Sequence, residues 1–372
     1  MRHLTIGIAG AGVISHVYIR DIKRLYSDHL TIKSVAALHA EHAQEVAEKY
    51  EIPVACSIEE MLQDPEIDLV VNLTPPKAHT ELNKQILKAG KHLFCEKPFA
   101  LTLEDALEIK ALAEEKGLII GCAPDSFLGS SLSTCRKLLQ DGWIGKPLYV
   151  SANMMTSGVE TWHPYPEAFY AEGGGPVFDM GGYYFTALVT MLGAAERITA
   201  VSGTGFAQRT IYTQPRFGQK VDVNVPTFYS FIIQMKSGVI VNMNMSFDIW
   251  KTSLPNFEIY GTDGTLMVPD PNMHGGTPKV FRKEQVLAKC FGGNDTGEGN
   301  AFAVPELNQD IGEYVRCLGV EAVYRSIAEG AHNPCNPDLA VHVTEMMLGV
   351  MKAAETGLPY EMTTDPGVIE PA

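Results

Sequence analysis

The 372-residue chain carries no block of basic residues: 29 lysines and arginines are scattered against 44 acidic side chains, for a formal net charge of −15. A surface of that sign offers little to a nucleic-acid backbone or an anionic membrane, so neither is expected as a partner. The acidity mainly favours solubility. No apolar run approaches the roughly 18 residues of a membrane-spanning helix. The seven cysteines include no C-x-x-C pair, and an odd count fits reduced thiols in a cytoplasmic compartment better than a disulfide framework. No His/Cys/Asp cluster stands at metal-ligand spacing, so no metal is expected. A G-x-S-x-G nucleophile elbow is also missing, as are internal repeats and low-complexity linkers. The first residues, "MRHLTIGIAGAGVIS", start basic, turn apolar and end small, which superficially suggests a signal peptide. A polar helical pattern (Tyr18, Arg20, Asp21, Lys23, Arg24) follows at once, so the stretch reads better as a first strand entering a glycine turn.

Apolar residues make up 45% of the chain and charged ones 20%, an ordinary globular balance, and the length suggests two domains. Up to residue 122 short apolar runs ("LTIGIAG", "IKSVAAL", "DLVVNLT", "HLFCE", "LIIGCAP") alternate with amphipathic stretches, two of which end in Gly90 and Gly117. That rhythm predicts an α/β domain over 1–122, a doubly wound parallel sheet with helices on both faces. From 123 to 372 the runs lengthen into a mostly antiparallel or mixed sheet. Hairpin turns are expected at "KSG" (236–238) and "TDG" (262–264), surface loops over 270–300, and helices at about 306–329 and 338–356.

Gly10-Ala11-Gly12-Val13-Ile14-Ser15 follows the first strand and opens the first helix. Gly10 permits the tight turn, and Gly12 lets a backbone approach a pyrophosphate at the helix N-terminus. Ser15 replaces the third glycine with another small residue. Gly10, Gly12, Val13 and Ile14 are therefore candidate dinucleotide contacts. The carboxylate expected after the second strand, where it would hold a ribose 2′-OH, is missing. Ala37 stands there in "SVAALHAEH", with His39, Glu41 and His42 beyond. Without it a 2′-phosphate is less disfavoured. NADP is slightly preferred over NAD, and Ala37 and His39 lie beside the cofactor in this reading.

The stretches "GIAGAGVIS", "NLTPPKAHTELNKQILKAGKHLFCEKP", "GGGPVFDMGGYYFTALVTMLG" and "YGTDGTLMV" together resemble the Gfo/Idh/MocA oxidoreductase family over nearly the whole chain. The resemblance implies an N-terminal Rossmann domain and a C-terminal α+β domain on a large open-faced sheet. It further implies NAD(P)-dependent oxidation or reduction of a sugar, cyclitol or polyol, and homodimers or homotetramers formed through the C-terminal sheet. Lys97 of "EKP" matches the family's catalytic lysine, and Asp179 matches the aspartate of its D-x-G-x-H motif. Tyr183 replaces the motif's histidine, as in the tyrosine-containing members. Thr74, Pro75 and His79 match a "TPxxxH" loop beside the cofactor, His79 reading as mainly structural. Asn72 is a further candidate near the cofactor.

Oxidising an alcohol requires a fixed nicotinamide and a titratable group on the reacting oxygen. Lys97 directly follows a strand end, where such sheets bind ligands, and desolvation there would lower its basicity. Asp179 and Tyr183, four apart at the start of the helical run "YYFTALVTML", can share a face. Tyr183 would donate to or accept from the reacting oxygen, and Asp179 would bind substrate or hold Lys97. Asp179 also reads as a helix N-cap, and Tyr183 as a packed aromatic. Glu96 is expected to bond backbone or cofactor groups near the turn. Pro98 is expected to fix the chain direction after Lys97, and X–Pro bonds at such turns can be cis. In the aromatic segment 156–176, Trp162 and His163 are candidate substrate contacts, as is Asp125 after the sixth strand; each also reads as packing or an edge residue. Two other functions fit the same residues. A glycoside hydrolase would use bound NAD for oxidation, elimination and re-reduction. A dinucleotide- or sugar-binding regulator on the same fold would need no proton carrier.

Overall fold

The computed structural model describes residues 2–287, 302–306 and 314–367. The chain divides into two compact units. One comprises Met1–Leu128, Tyr314–Thr344 and Pro366–Ala372, the other Gly129–Glu313 and Glu345–Asp365. Residues 314–344 thus return to the unit built by the first 128.

The first unit begins as six strands alternating with five helices: β1 (Leu4–Ala9), α1 (Val13–Leu25), β2 (Leu30–Ala36), α2 (Ala40–Tyr50), β3 (Val54–Cys56), α3 (Ile58–Gln63), β4 (Leu69–Asn72), α4 (Pro76–Lys88), β5 (His92–Cys95), α5 (Leu103–Lys116) and β6 (Ile120–Cys122). All strand pairs are parallel, in the order β3-β2-β1-β4-β5-β6. β4 is buried along its whole length, as parallel strands covered on both faces must be. The local signals are conventional. Ser57 and Glu60 form a reciprocal cap at the start of α3, and Gly117 ends α5 in the left-handed region. The strand order reverses between β1 and β4, and ligands of such sheets bind in the crevice beyond the strand ends at that reversal.

The second unit contains α6 (Ser130–Gln140), β7 (Pro147–Met155), α7 (Gly175–Leu192), β8 (Ala195–Gly203), β9 (Gln208–Thr210), β10 (Lys220–Asp222), β11 (Phe228–Met235), β12 (Ile240–Ser246), β13 (Phe257–Gly261), β14 (Gly264–Val268), β15 (Lys279–Arg282), α8 (Lys283–Leu287) and β16 (Phe302–Ala303). Then follow α9 (Leu318–Glu329) and α10 (Pro337–Thr356), and β17 (Tyr360–Glu361) closes the second unit's sheet. That nine-stranded sheet is antiparallel except for the β7–β12 pair. β11 and β12 meet across 236–238, and β13 and β14 across 262–264, as the turn residues indicate. β15 and α8 lie where the sequence suggests only loop. Each is four or five residues long, and β15 exists through pairing with β14 rather than through its own pattern. The remainder of the expected 270–300 loop region, from 288, lies outside the described residues. So do 307–313 of the expected 306–329 helix; of its described residues, 306 and 314–317 are not helical, and α9 begins only at Leu318.

α7 packs on the sheet's inner face. Phe185 meets Phe231 edge-on at 5.9 Å, and Tyr184 stacks on Phe257 at 6.4 Å. In the first unit the 314–344 segment covers the open side of β6. Asn333 Nδ2 donates to Ile120 O at 2.7 Å, and Cys122 N donates to Cys335 O at 2.9 Å. An edge that would otherwise expose unpaired backbone groups is thereby satisfied.

Candidate active site

Strand register sets the candidate site's frame in the first unit. Ala36, Ala9, Asn72, Cys95 and Cys122 are successive partners across β2, β1, β4, β5 and β6. The next residue of four of these strands is still tied to its neighbour. Gly10 N donates to Ala36 O (2.8 Å), Leu73 N to Ala9 O (2.7 Å), Glu96 N to Asn72 O (2.9 Å) and Ala123 N to Cys95 O (2.9 Å). The glycine turn, the Thr74–Pro75 turn, Lys97 and the start of the Asp125 loop therefore leave the sheet along one edge.

The two glycines differ in role. Gly10 has φ +113°, and a Cβ there would lie 2.6 Å from Leu73 O. Gly12 has ordinary torsions (φ −81°, ψ −175°) and caps α1 without a side chain. A Cβ on Gly12 would meet nothing within 4 Å. The α1 N-terminus thus keeps its uncapped N–H groups beside open space, which suits a pyrophosphate. Ser15 is buried and donates to Gly12 O at 2.7 Å, and Val13 is exposed while Ile14 is half-buried. Beyond β2, Ala37 is half-buried and Leu38, His39 and His42 are exposed. The His39 and His42 rings meet edge-on at 5.5 Å. No carboxylate stands between the end of β2 and α2, a stretch made of Ala37, Leu38 and His39.

Asn72 is fully buried and turned inward. Its Nδ2 donates to Asn83 Oδ1 (2.8 Å), and its Oδ1 accepts from the Thr74 backbone N (3.1 Å) and Oγ1 (2.6 Å). It shapes the Thr74–Pro75 turn, whose Pro75 is exposed at the α4 N-cap. His79 is fully buried, its Nε2 2.7 Å from Thr74 O and its Nδ1 2.8 Å from Pro98 O. Glu96 accepts from Tyr18 OH and from Lys97 N, both at 2.9 Å. Burial, followed by the Glu96 and Asp125 carboxyls, pushes the Tyr18 pKa well up, so Tyr18 remains a donor. Lys97 is half-buried, and the Lys97–Pro98 peptide is cis. Asp125 is fully buried and accepts the Gly319 N–H at 3.0 Å, tying down the returning segment.

The other candidates lie in the second unit. α7 starts at Gly175, with Gly174 as its N-cap and Pro176 in the first turn. Asp179 is therefore inside the helix, which excludes its reading as a cap. It is half-buried, and Tyr183, one turn on, is buried. Trp162 is 62% exposed, edge-on to His163 at 5.4 Å and to Phe169 at 6.4 Å. His163 is half-buried, and its Nδ1 accepts the Tyr165 N–H at 3.0 Å.

A model of the oxidoreductase family with an NAD-binding Rossmann fold matches residues 4–123, and a model of the GFO/IDH/MocA C-terminal domain matches 132–267. The chain belongs to the Gfo/Idh/MocA family. A trans-1,2-dihydrobenzene-1,2-diol dehydrogenase of Danio rerio is 31% identical over 71% of this chain and 73% of its own length. A 1,5-anhydro-D-fructose reductase of Ensifer adhaerens is 28% identical over 57% of this chain and 60% of its own. Against this and three other curated relatives, the match spans between 40% and 60% of the relative's length. In fold, the chain is similar to an NAD binding oxidoreductase from Klebsiella pneumoniae, with a TM-score of 0.81 at 17% identity, covering 98% of this chain and 100% of that one.

Inside this Gfo/Idh/MocA frame lies a buried network with no local sequence signal. Arg209 Nε donates to Glu160 Oε1 and its Nη1 to Asp248 Oδ1, both at 2.8 Å, while its Nη2 donates to Ser157 O at 2.9 Å. Tyr170 OH donates to the other Glu160 oxygen, and burial, with Glu160 next to it, pushes the Tyr170 pKa up. Arg216 pairs with Glu167 at 2.5 Å and lies over the Tyr165 ring. The two arginines fasten the loop of Trp162 and His163 to the β9–β10 hairpin. Among the described residues no group of three or more His, Cys, Asp or Glu could hold a metal ion, and no helix is long and apolar enough to cross a membrane.

Proposed function

We propose that the protein is an NAD(P)-dependent oxidoreductase that interconverts an alcohol and a carbonyl on a sugar, cyclitol or polyol-like substrate. The observation that carries this reading is Lys97, which leaves β5 at the same sheet edge as the open Gly12 turn. In this reading Gly10, Gly12 and the α1 N–H groups hold the pyrophosphate, and the Thr74–Pro75 turn lines the cofactor. The bound nicotinamide supplies the hydride acceptor or donor. Lys97 holds the reacting oxygen by hydrogen bonding or proton transfer. Tyr183 is the second proton-handling group, in the position where the family motif has histidine, and Asp179 orients substrate. Trp162 offers an aromatic face to a sugar ring, with His163 beside it. The named relatives act on a diol and an anhydrosugar, which supports that substrate class.

NADP is the preferred cofactor, because the place of the ribose-binding acid is taken by Ala37, with exposed Leu38 and His39 after it. A homodimer or homotetramer through the outer sheet face fits the exposed apolar residues Tyr149, Val201, Ile232 and Ile240 on β7, β8, β11 and β12. A cytoplasmic location fits the reduced thiols. The test is a screen of sugars, anhydrosugars and polyols with NAD⁺ and with NADP⁺, followed at the reduced-nicotinamide band. Turnover of a polyol-class substrate is expected. Failure to bind either dinucleotide would contradict the reading.

A further inference from the structure

His79 is buried with each ring nitrogen facing a main-chain carbonyl: Nε2 to Thr74 O at 2.7 Å and Nδ1 to Pro98 O at 2.8 Å. A carbonyl oxygen only accepts hydrogen bonds. A neutral imidazole has one N–H and one lone pair, so one of these contacts would set two acceptors against each other without solvent to separate them. Only the doubly protonated ring satisfies both. We infer that His79 is a buried imidazolium that fastens the Thr74–Pro75 turn to the Lys97–Pro98 turn, and so positions the main chain that carries Lys97.

Burial on its own pushes the His79 pKa down, but the neighbouring Cys95 sulfur and then the Pro98 and Thr74 carbonyls outweigh it and bring it to about 9. Asn83 Nδ2, 3.2 Å from the same sulfur, holds Cys95 in place without titrating. Glu96 secures the other side of the turn. Its Oε2 accepts the Lys97 N–H, and its Oε1 is held by Tyr18, both at 2.9 Å. The Lys97 N–H and the Pro98 carbonyl thus each end on a buried side chain. That leaves the turn little freedom to shift, as a group that must hold one atom of a substrate requires. His79 is a positioning residue, since its ring is spent on the two carbonyls. The sign of its linkage follows from a folded pKa above the unfolded value of 6.5. Its contribution to stability is complete below about pH 6.5 and is lost as pH rises through about 9.

The functional consequence rests on the reading of Lys97 given above; the protonation does not, and the experiment separates them. The full-length chain is labelled with ¹⁵N-histidine, and His79→Gln identifies the His79 signal among the 11 histidines. At pH 7.5 both ring nitrogens of His79 should carry protons, with loss of one only as pH nears about 9. A ring with one bare nitrogen at pH 7.5 overturns the inference. Should His79→Gln fail to fold, neutron diffraction from wild-type crystals at pH 7.5 decides the same point: deuterium on both nitrogens supports it, and on one overturns it. In a folded His79→Gln variant kcat should fall on the order of 10²-fold, the scale of an ångström-sized misplacement, with a smaller change in the dinucleotide KM. Wild-type kcat would overturn the positioning role. Absence of turnover in the wild-type chain would remove the reading of Lys97, while the ring's protonation would still decide whether the clamp exists.

Discussion

Gly10 and Gly12 stand two residues apart in one turn, yet replacing each with alanine should give opposite results. At Gly10 the added Cβ would sit 2.6 Å from Leu73 O and 2.7 Å from Leu73 C, with φ at +113°. Leu73 cannot simply move aside, because its N–H is bonded to Ala9 O at 2.7 Å. The unfavourable torsion costs about 1–3 kcal/mol, and crowding into fixed main chain adds about 1–3 kcal/mol more. Gly10→Ala should therefore lose roughly 2–6 kcal/mol, enough to endanger the fold. At Gly12 the torsions suit any residue, and a Cβ meets nothing within 4 Å. The reduced unfolded-state entropy, about 0.4–1 kcal/mol in favour, roughly offsets the poorer N-cap, so stability should stay within about 0.5 kcal/mol of wild type. The methyl would instead occupy the approach to the α1 N–H groups, and dinucleotide affinity should fall at least about tenfold, or 1.4 kcal/mol. Denaturant unfolding and a fluorescence titration with NADP⁺, run on both variants, measure the two effects. Wild-type NADP⁺ affinity in Gly12→Ala, or wild-type stability in Gly10→Ala, would refute the assignment of roles.

Introducing a carboxylate with Ala37→Asp should shift preference from NADP(H) toward NAD(H) by offering a ribose acceptor and repelling a 2′-phosphate; titrating both cofactors into both proteins reads the shift, and a wild-type preference for NAD would contradict it. Tyr183→Phe should lower kcat and leave dinucleotide Kd nearly unchanged, with Tyr183→His restoring part of the rate; a harmless Phe would leave the tyrosine as packing. Arg209→Ala strips the cation from the buried Glu160 carboxyl and the half-buried Asp248 carboxyl and should cost about 3–5 kcal/mol in an unfolding experiment; a loss below about 1 kcal/mol would show that the network does not hold the Trp162 loop.

What could be read from the sequence was local. The strand–glycine–helix turn at Gly10 and the change of rhythm after 122 are patterns within a few residues of each other, as are the hairpin turns at 236–238 and 262–264. The start of α7 was less legible. Gly173–Gly175 and Gly181–Gly182 argue against helix by propensity, so the sequence pattern starts the run at Tyr183. Pro176 is the sign that could have moved the start back to Gly175. Gly181 is accommodated because its missing side chain leaves room for Phe185 and Met347, which a Cβ would meet at 3.2 and 3.4 Å. The short strands β9, β16 and β17 are made by their partners and carry no period of their own. In the candidate site, Gly12 and Lys97 announce themselves through motif and position. Tyr18 does not, since it meets Glu96 from 78 residues away. Nor do Glu160 and Asp248, which reach Arg209 across 49 and 39 residues.

The central claim is that Lys97 acts on the reacting oxygen beside a dinucleotide held by the glycine turn. Its most direct test is steady-state turnover of Lys97→Ala with a substrate found in the screen, alongside its NADP⁺ affinity and thermal melt. The turn's bonds to Glu96 and His79 involve main-chain atoms of residues 97 and 98, so folding and dinucleotide binding should survive the substitution. kcat should fall by roughly 10²–10⁴, the usual worth of a positioned acid–base group, and Lys97→Arg should not restore it, because a guanidinium keeps its proton. Near-full turnover in Lys97→Ala with an unchanged melt would contradict the account and leave Lys97 a residue of the turn alone.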